Sequence, residues 1–158
     1  MCVSITGIRP DEPTSGGAVI GVLLVTHGGL GQELLVCAEN VVGKQAFASA
    51  LGVAGTESPD GFEVRLRSAL GQLTAPAGVL VLADMLGGTP CNVCLRLARD
   101  PHCPFELVTG VNLPMLITAL ANRHYMPLAQ LAQKLVDDAP RSAQRPLQRL
   151  RDHLPGGA

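Results

Sequence analysis

Two apolar runs organise the chain. Ala18–Thr26 and Gly78–Ala83 carry almost nothing but apolar residues. Each therefore reads as a strand buried on both faces, central in a sheet and parallel to its neighbours. Between and after them the period changes. Leu30–Val42 has apolar residues at 30, 34, 35, 38, 41 and 42, which is helical spacing, and Gly43 is placed to end that helix. Gln45–Val53 is a weaker strand that mixes small and polar residues and suits a sheet edge. The turn-rich piece 55–61 precedes a second helical pattern over Phe62–Leu73, and Pro76-Ala77-Gly78 breaks the chain. After Gly78–Ala83, the spacing predicts a helix over Cys91–Arg99 with Thr89 as its cap and Pro90 at its first position. A shorter strand over Pro104–Thr109 follows, then helices from Gly110-Val111-Asn112-Leu113-Pro114 to about Asn122 and over Leu128–Asp138. The second of these carries Leu128, Leu131, Leu135 and Val136 on one face, with Asp137-Asp138 as an exposed end.

Alternation of strand and helix over 18–138 predicts an α/β fold: an open, mainly parallel sheet with helices on both faces and right-handed crossovers. Residues 1–17, rich in Pro, Gly and polar residues, read as a mobile N-terminal leader. Residues 139–158 read as an Arg-rich, solvated C-terminal tail; Leu147, Leu150 and Leu154 could share a short helix face there, limited by Pro146 and Pro155.

Composition excludes several function classes. With 158 residues, 47% hydrophobic and 16% charged, the chain has the makeup of one globular domain. A net charge of −1 and 3% aromatics, with no Trp, give neither a basic footprint nor a stacking platform for nucleic acid. The start lacks a signal peptide's basic and apolar regions, and no apolar run approaches the ~20 residues of a membrane helix. The expected location is cytoplasmic, and the five cysteines read as reduced thiols.

The candidate chemistry lies where the two buried strands end. If they are neighbours, their carboxyl ends bracket a crevice of the kind in which open α/β sheets bind ligands. His27 follows one strand and Asp84 the other. A neutral imidazole is a good nucleophile toward phosphorus, and a carboxylate bonded to one ring nitrogen fixes its tautomer and aims the other. Gly28-Gly29 and Gly87-Gly88 precede helices, so backbone N–H groups there can cradle phosphoryl oxygens, and the Thr89 hydroxyl can donate a further bond. Taken singly, His27 is an ordinary strand-end histidine, Asp84 a turn residue and Thr89-Pro90 a helix start. Together the residues point to a phosphate- or anion-handling site.

Other features weigh less. Cys91 and Cys94 form a C-x-x-C with His102-Cys103 nearby, but Cys94 suits the core as a small hydrophobe, so neither a metal nor any other cofactor is expected. Met85 and Leu86 could form an apolar docking rim beside the crevice. A hydrolase with Thr89 as nucleophile would need an adjacent base, and there is no G-x-x-x-x-G-K loop for direct use of ATP.

Three blocks add more than spacing. Val25-Thr26-His27-Gly28-Gly29 with Glu33-Leu34-Leu35 and Ala38-Glu39, then Asp84 to Asn92, then Thr109 to Leu116, resemble in order the signatures of the mannose-family enzyme IIA domains of the bacterial phosphotransferase system. The resemblance spans roughly residues 19–138; residues 1–17 and 141–158 lie outside it. It implies a parallel sheet of order 2-1-3-4 and a homodimer with a late antiparallel edge strand exchanged between subunits. It implies a phosphotransferase component working through a phosphohistidine: His27 accepts a phosphoryl group from the phosphocarrier HPr and passes it to a IIB domain, with Asp84 as its partner and Thr89 beside the phosphoryl group. No IIB domain is expected within these residues, so the alternative is a regulatory protein whose His27 phosphorylation state controls binding to a partner protein, without sugar transport.

Overall fold

In the computed structural model, β1 (Gly21–His27) is buried over its first six residues because strands pair with it on both sides. The structure describes residues 18–73 and 75–153, so the expected leader 1–17 lies outside the described residues, as does Leu154. After β1 come α1 (Leu30–Val42), β2 (Ala48–Val53), α2 (Pro59–Gln72), β3 (Val79–Ala83), α3 (Thr89–Leu97), β4 (Glu106–Thr109), α4 (Leu113–Asn122) and α5 (Leu128–Asp138). A 3-10 turn (Ala139–Arg141) and α6 (Pro146–His153) complete the described chain. The sheet order is β2-β1-β3-β4 and every pair is parallel. Among the described residues there is no antiparallel edge strand.

Alternation along the central strands sends side chains to two cores. Val22, Leu24, Leu80 and Leu82 pack with Leu35 and Ala38 of α1, Leu116 and Leu120 of α4, and Leu131 and Leu135 of α5. On the other face Leu23, Val25 and Val81 pack with Phe62, Leu66 and Leu70 of α2 and Val93, Cys94 and Leu97 of α3. Each fully buried Leu or Val contributes about 1.5–3 kcal/mol relative to exposure, which is why the two apolar runs hold the centre.

The topology places the site. From β1 the chain steps to β2 on one side, and from β3 it steps to β4 on the other. Right-handed crossovers then require α1 on one face and α2 and α3 on the opposite face, as the two cores show. The connections after β1 and β3 leave in opposite directions and open a crevice between their carboxyl ends.

Several local expectations need correction. β1 runs three residues later than 18 and includes His27 as its last residue. α1 exposes Leu30 and Val41, and buries Gly31 instead, because Gly31 packs on Thr26 and donates its N–H to Thr26 Oγ1 at 2.8 Å. α2 starts three residues early: Ser58 caps it, accepting from the Gly61 N–H at 3.1 Å, with Pro59 at the first position. Val136 faces outward on α5, while Leu131, Ala132 and Leu135 face inward. Asp138 is half-buried and paired with Lys134 at 2.8 Å and with Arg141. In the Arg-rich segment α6 begins at Pro146, and Leu147 and Leu150 are exposed.

Candidate phosphoryl-transfer site

His27 and Asp84 meet in the crevice. The register sets Val25 of β1 beside Ala83 of β3, so the next residues of each strand converge beyond the paired region. Asp84 Oδ2 accepts the His27 backbone N–H at 2.7 Å and stands 2.8 Å from His27 Nδ1. Asp84 Oδ1 accepts the Met85 N–H at 2.8 Å. A carboxylate only accepts, so it assigns the proton to Nδ1 and leaves the lone pair on Nε2. The Asp84 side chain is 11% exposed and the His27 side chain 48%, so the anchor is shielded and the ring faces out. Burial works against the Asp84 charge, but the bonds from the His27 backbone, the His27 ring and the Met85 N–H outweigh it and hold the carboxyl below its ordinary range.

The ring lies on a glycine. A Cβ on Gly88 would stand 2.7 Å from His27 Cε1 and 3.4 Å from Nε2, so only a bare Cα admits the imidazole there. Gly88, in extended conformation, is the N-cap of α3. This corrects the expectation that Thr89 caps the helix: the glycine takes the cap and Thr89 becomes the first helical residue, half-buried, with Pro90 following. Nε2 therefore sits at the amino end of α3, where backbone N–H groups lack helical acceptors and the dipole favours anions. Gly87 makes the preceding turn with φ +82°. On the other side Gly28, at φ +52°, donates its N–H to Val53 O at 3.0 Å, and Gly29 caps α1. The structure thus brings His27, Asp84, Gly87 and Gly88 into one cluster, with Thr89 adjoining and Gly28-Gly29 in the turn that leaves His27.

Sequence reading missed Gly52. It lies in β2, and a Cβ there would overlap the carbonyl oxygen of Gly28. The turn after His27 can lie down on β2 only because Gly52 has no side chain. The one sequence signal was a glycine inside a strand, which marks close approach by another backbone.

Met85 and Leu86, the two residues after Asp84, are both exposed. Cys91 and Cys94 are both buried, and burial pushes the Cys94 thiol up to about 12. Among the described residues no cluster of His, Cys, Asp and Glu is placed to hold a metal ion, and no helix is long and apolar enough to cross a membrane.

Comparison with known proteins bears on the family and the fold. Residues 21–136 match the family model EIIA-man, described as the PTS system fructose IIA component. The chain is 32% identical over 104 residues to the PTS system mannose-specific EIIAB component of Escherichia coli (strain K12), covering 66% of this chain and 32% of that protein. The chain thus spans about a third of that relative's length. It is 27% identical over 118 residues to the PTS system fructose-specific EIIA component of Bacillus subtilis (strain 168), covering 74% of this chain and 80% of that one. Among solved structures, the mannose/sorbose specific IIA subunit from Enterococcus faecalis superimposes with a TM-score of 0.70 at 29% identity, over 80% of this chain and 94% of the other. The PTS IIA protein associated with the fucose utilization operon of Streptococcus pneumoniae gives 0.73 at 26% identity, over 85% and 98%. The matched span runs from β1 into α5, and the chain belongs to the mannose-type enzyme IIA family of the phosphotransferase system.

Proposed function

We propose that this chain is a phosphocarrier that takes a phosphoryl group from phospho-HPr onto His27 Nε2 and passes it to a IIB domain. The observation that carries the reading is the Nδ1–Asp84 bond at 2.8 Å, which leaves Nε2 unprotonated and facing out over Gly88. In the forward step the Nε2 lone pair attacks phosphorus, an N–P bond forms, and the N–P bond of the donor histidine breaks with its electron pair returning to the donor ring. The Nδ1 proton stays on Nδ1 and Asp84 balances the charge that the ring acquires. The amide groups at the amino end of α3 and the Thr89 hydroxyl receive the phosphoryl oxygens, with the Gly28-Gly29 turn forming the opposite wall. Catalysis is then positioning and charge stabilisation, as phosphoryl transfer requires. The second step reverses the first, with a nucleophile of the IIB domain as acceptor. Met85 and Leu86 supply an apolar lip against which both proteins dock in turn, and the working unit is a homodimer. No feature among the described residues favours the purely regulatory reading.

The test is transfer of label. Purified protein is incubated with enzyme I, HPr and labelled phosphoenolpyruvate, beside His27→Ala. Acid-labile, base-stable label on the parent alone is the expected result, lost again when the cognate IIB protein is added. No label on the parent, with HPr shown to be charged, overturns the reading.

A further inference from the structure

We propose that Asn92 is a positioning residue that aims two backbone N–H groups of α3 at the phosphoryl group on His27. The inference rests on the phosphocarrier reading for its second measurement but not for its first.

Asn92 holds two successive carbonyls. Its side-chain Nδ2 donates to Gly87 O at 3.0 Å, and its backbone N–H donates to Gly88 O at 2.9 Å. In a planar trans peptide the C=O of one residue and the N–H of the next point in opposite directions. With the Gly87 carbonyl turned toward Asn92, the Gly88 N–H points away from the helix. With the Gly88 carbonyl turned down the helix, the Thr89 N–H points out of its end. The His27 ring lies against Gly88, the residue that carries the first of these donors and directly precedes the second.

The second carbonyl is an ordinary helical acceptor, whereas the first is not. Gly87 lies before the cap, and its φ of +82° belongs to a residue that can swing its peptide plane at little cost. Without the Asn92 side chain nothing in the helix register selects one orientation of that plane. Asn92 itself is exposed and is a mediocre helix former, so neither burial nor propensity accounts for its use in the first turn of α3. A donor held in place before charge develops costs no reorganisation during transfer, and that is the service the side chain gives.

The experiment has two arms and two variants. Asn92→Ala removes the donor; Asn92→Asp keeps the shape and replaces the donor with an acceptor. In the first arm potassium phosphoramidate loads His27 directly, releasing ammonia, so no carrier protein is needed. Loading should move the Gly88 and Thr89 amide protons of the parent downfield, and both variants should lose most of that shift while keeping the remaining amide spectrum. In the second arm phospho-HPr is the donor. There kcat should fall about 10- to 100-fold in both variants with KM unchanged, less than the loss of a direct oxyanion donor. Parent-like shifts and rates in either variant, or Gly88 and Thr89 amides in the parent that ignore loading, would overturn the assignment. A parent that loads from phosphoramidate but takes nothing from charged HPr would sink the carrier reading and leave the first arm to decide Asn92. A parent that does not load at all would sink both.

Discussion

His27 directs two donors, its backbone N–H and its ring Nδ1–H, at the same oxygen of Asp84, at 2.7 and 2.8 Å. The main chain therefore fixes the carboxylate and the carboxylate fixes the ring. Asp84→Asn breaks this arrangement in either orientation of the amide. With its oxygen toward His27, its NH2 group faces the Met85 N–H that Asp84 Oδ1 now accepts. With its NH2 group toward His27, it favours the tautomer that protonates Nε2. The expected loss in phosphorylation rate is about 10²- to 10⁴-fold, the range of a misdirected base in comparable arrangements. Initial rates of labelling from phospho-HPr check it, and a variant within threefold of the parent would remove Asp84 from the site.

The same carboxylate makes stability depend on pH. Its folded value lies below its ordinary one, so as pH falls the unfolded chain takes up the proton first. Its contribution is complete above the ordinary value of ~3.9 and is lost as pH falls through the lower folded value. Urea midpoints of the parent and Asp84→Asn, measured from about pH 6 down to about pH 3, should therefore converge. The other depressed carboxyls, such as Glu39 and Asp138, are common to both proteins and cancel in the difference. Parallel curves would mean that the His27 bonds do not hold the charge.

Gly88→Ala should separate activity from stability. The backbone there has φ −71°, which any residue adopts, so the fold has no objection to a methyl group. The main obstacle is the His27 ring, 2.7 Å from where that methyl would stand, with Met85 Cγ at 3.2 Å; both side chains are exposed enough to move, and the ring can swing away. Swinging it breaks the Nδ1–Asp84 bond. The lost bond to a half-exposed ring and the reduced freedom of the unfolded chain work in opposite directions, so stability should fall by no more than about 1–2 kcal/mol, while labelling falls at least about tenfold through the misplaced nucleophile. A parent-like rate would show that the ring does not need Gly88 beneath it.

Gly52→Ala should cost both. Its Cβ overlaps the Gly28 carbonyl, and both partners are backbone, so neither side can rotate out of the way. The expected destabilisation is about 1–3 kcal/mol, the cost of overpacking, with labelling reduced because the turn after His27 is displaced. Gly71→Ala is the matched control. It lies in α2 with nothing within 4 Å of the new methyl, and should stabilise by up to about 1 kcal/mol. Chemical denaturation of the two variants beside the parent checks the contrast.

The contrast between Gly88 and Gly52 also marks what a sequence can disclose. His27, Asp84 and the glycine turns were legible because each follows or adjoins a run apolar enough to be buried on both faces, and such runs can lie only in the middle of a sheet. The role of Gly52 was not. It arises from the turn at Gly28, which meets β2 only once the strands have paired, and within Ala-Ser-Ala-Leu-Gly-Val the glycine signals a close approach without naming what approaches. The Thr89 cap failed for a local reason: Thr-Pro and Gly-Thr-Pro are both good helix starts, and the packing of the His27 ring selects the glycine. The buried stripe of α1 is narrower than its apolar spacing because the small Gly31, which is buried, and the large Leu30, which is exposed, reverse the usual order of size and burial. The start of α2 is encoded in Ser58-Pro59, a cap followed by a first-position proline, but the glycines and polar residues around it give the same stretch the composition of a turn.

Arg123 shows the same limit at the opposite end of the strands. It is 3% exposed, at the carboxyl end of α4, and nothing in Asn-Arg-His-Tyr foretells its burial. Its guanidinium donates to Ala46 O at 2.7 Å, Phe47 O at 3.2 Å and Gln45 Oε1 at 3.0 Å, and the Ile20 N–H donates to its carbonyl at 3.3 Å. One planar fork thus ties the chain entering β1 and the chain entering β2 to α4. It also holds Phe47 at φ +53°, a conformation a bulky residue rarely adopts unaided. An ammonium group cannot reproduce that spread of donors, so Arg123→Lys should lose about 1.5–3 kcal/mol of stability, the worth of a charged hydrogen-bond set. Labelling of His27, measured well below the melting transition, should stay at the parent rate, since Arg123 binds the strands where they begin and His27 lies where β1 ends. A slower rate in a fully folded Arg123→Lys protein would mean that the two ends of the sheet are mechanically coupled. A stability unchanged from the parent would mean that water serves the carbonyls of Ala46 and Phe47 as well as the guanidinium does.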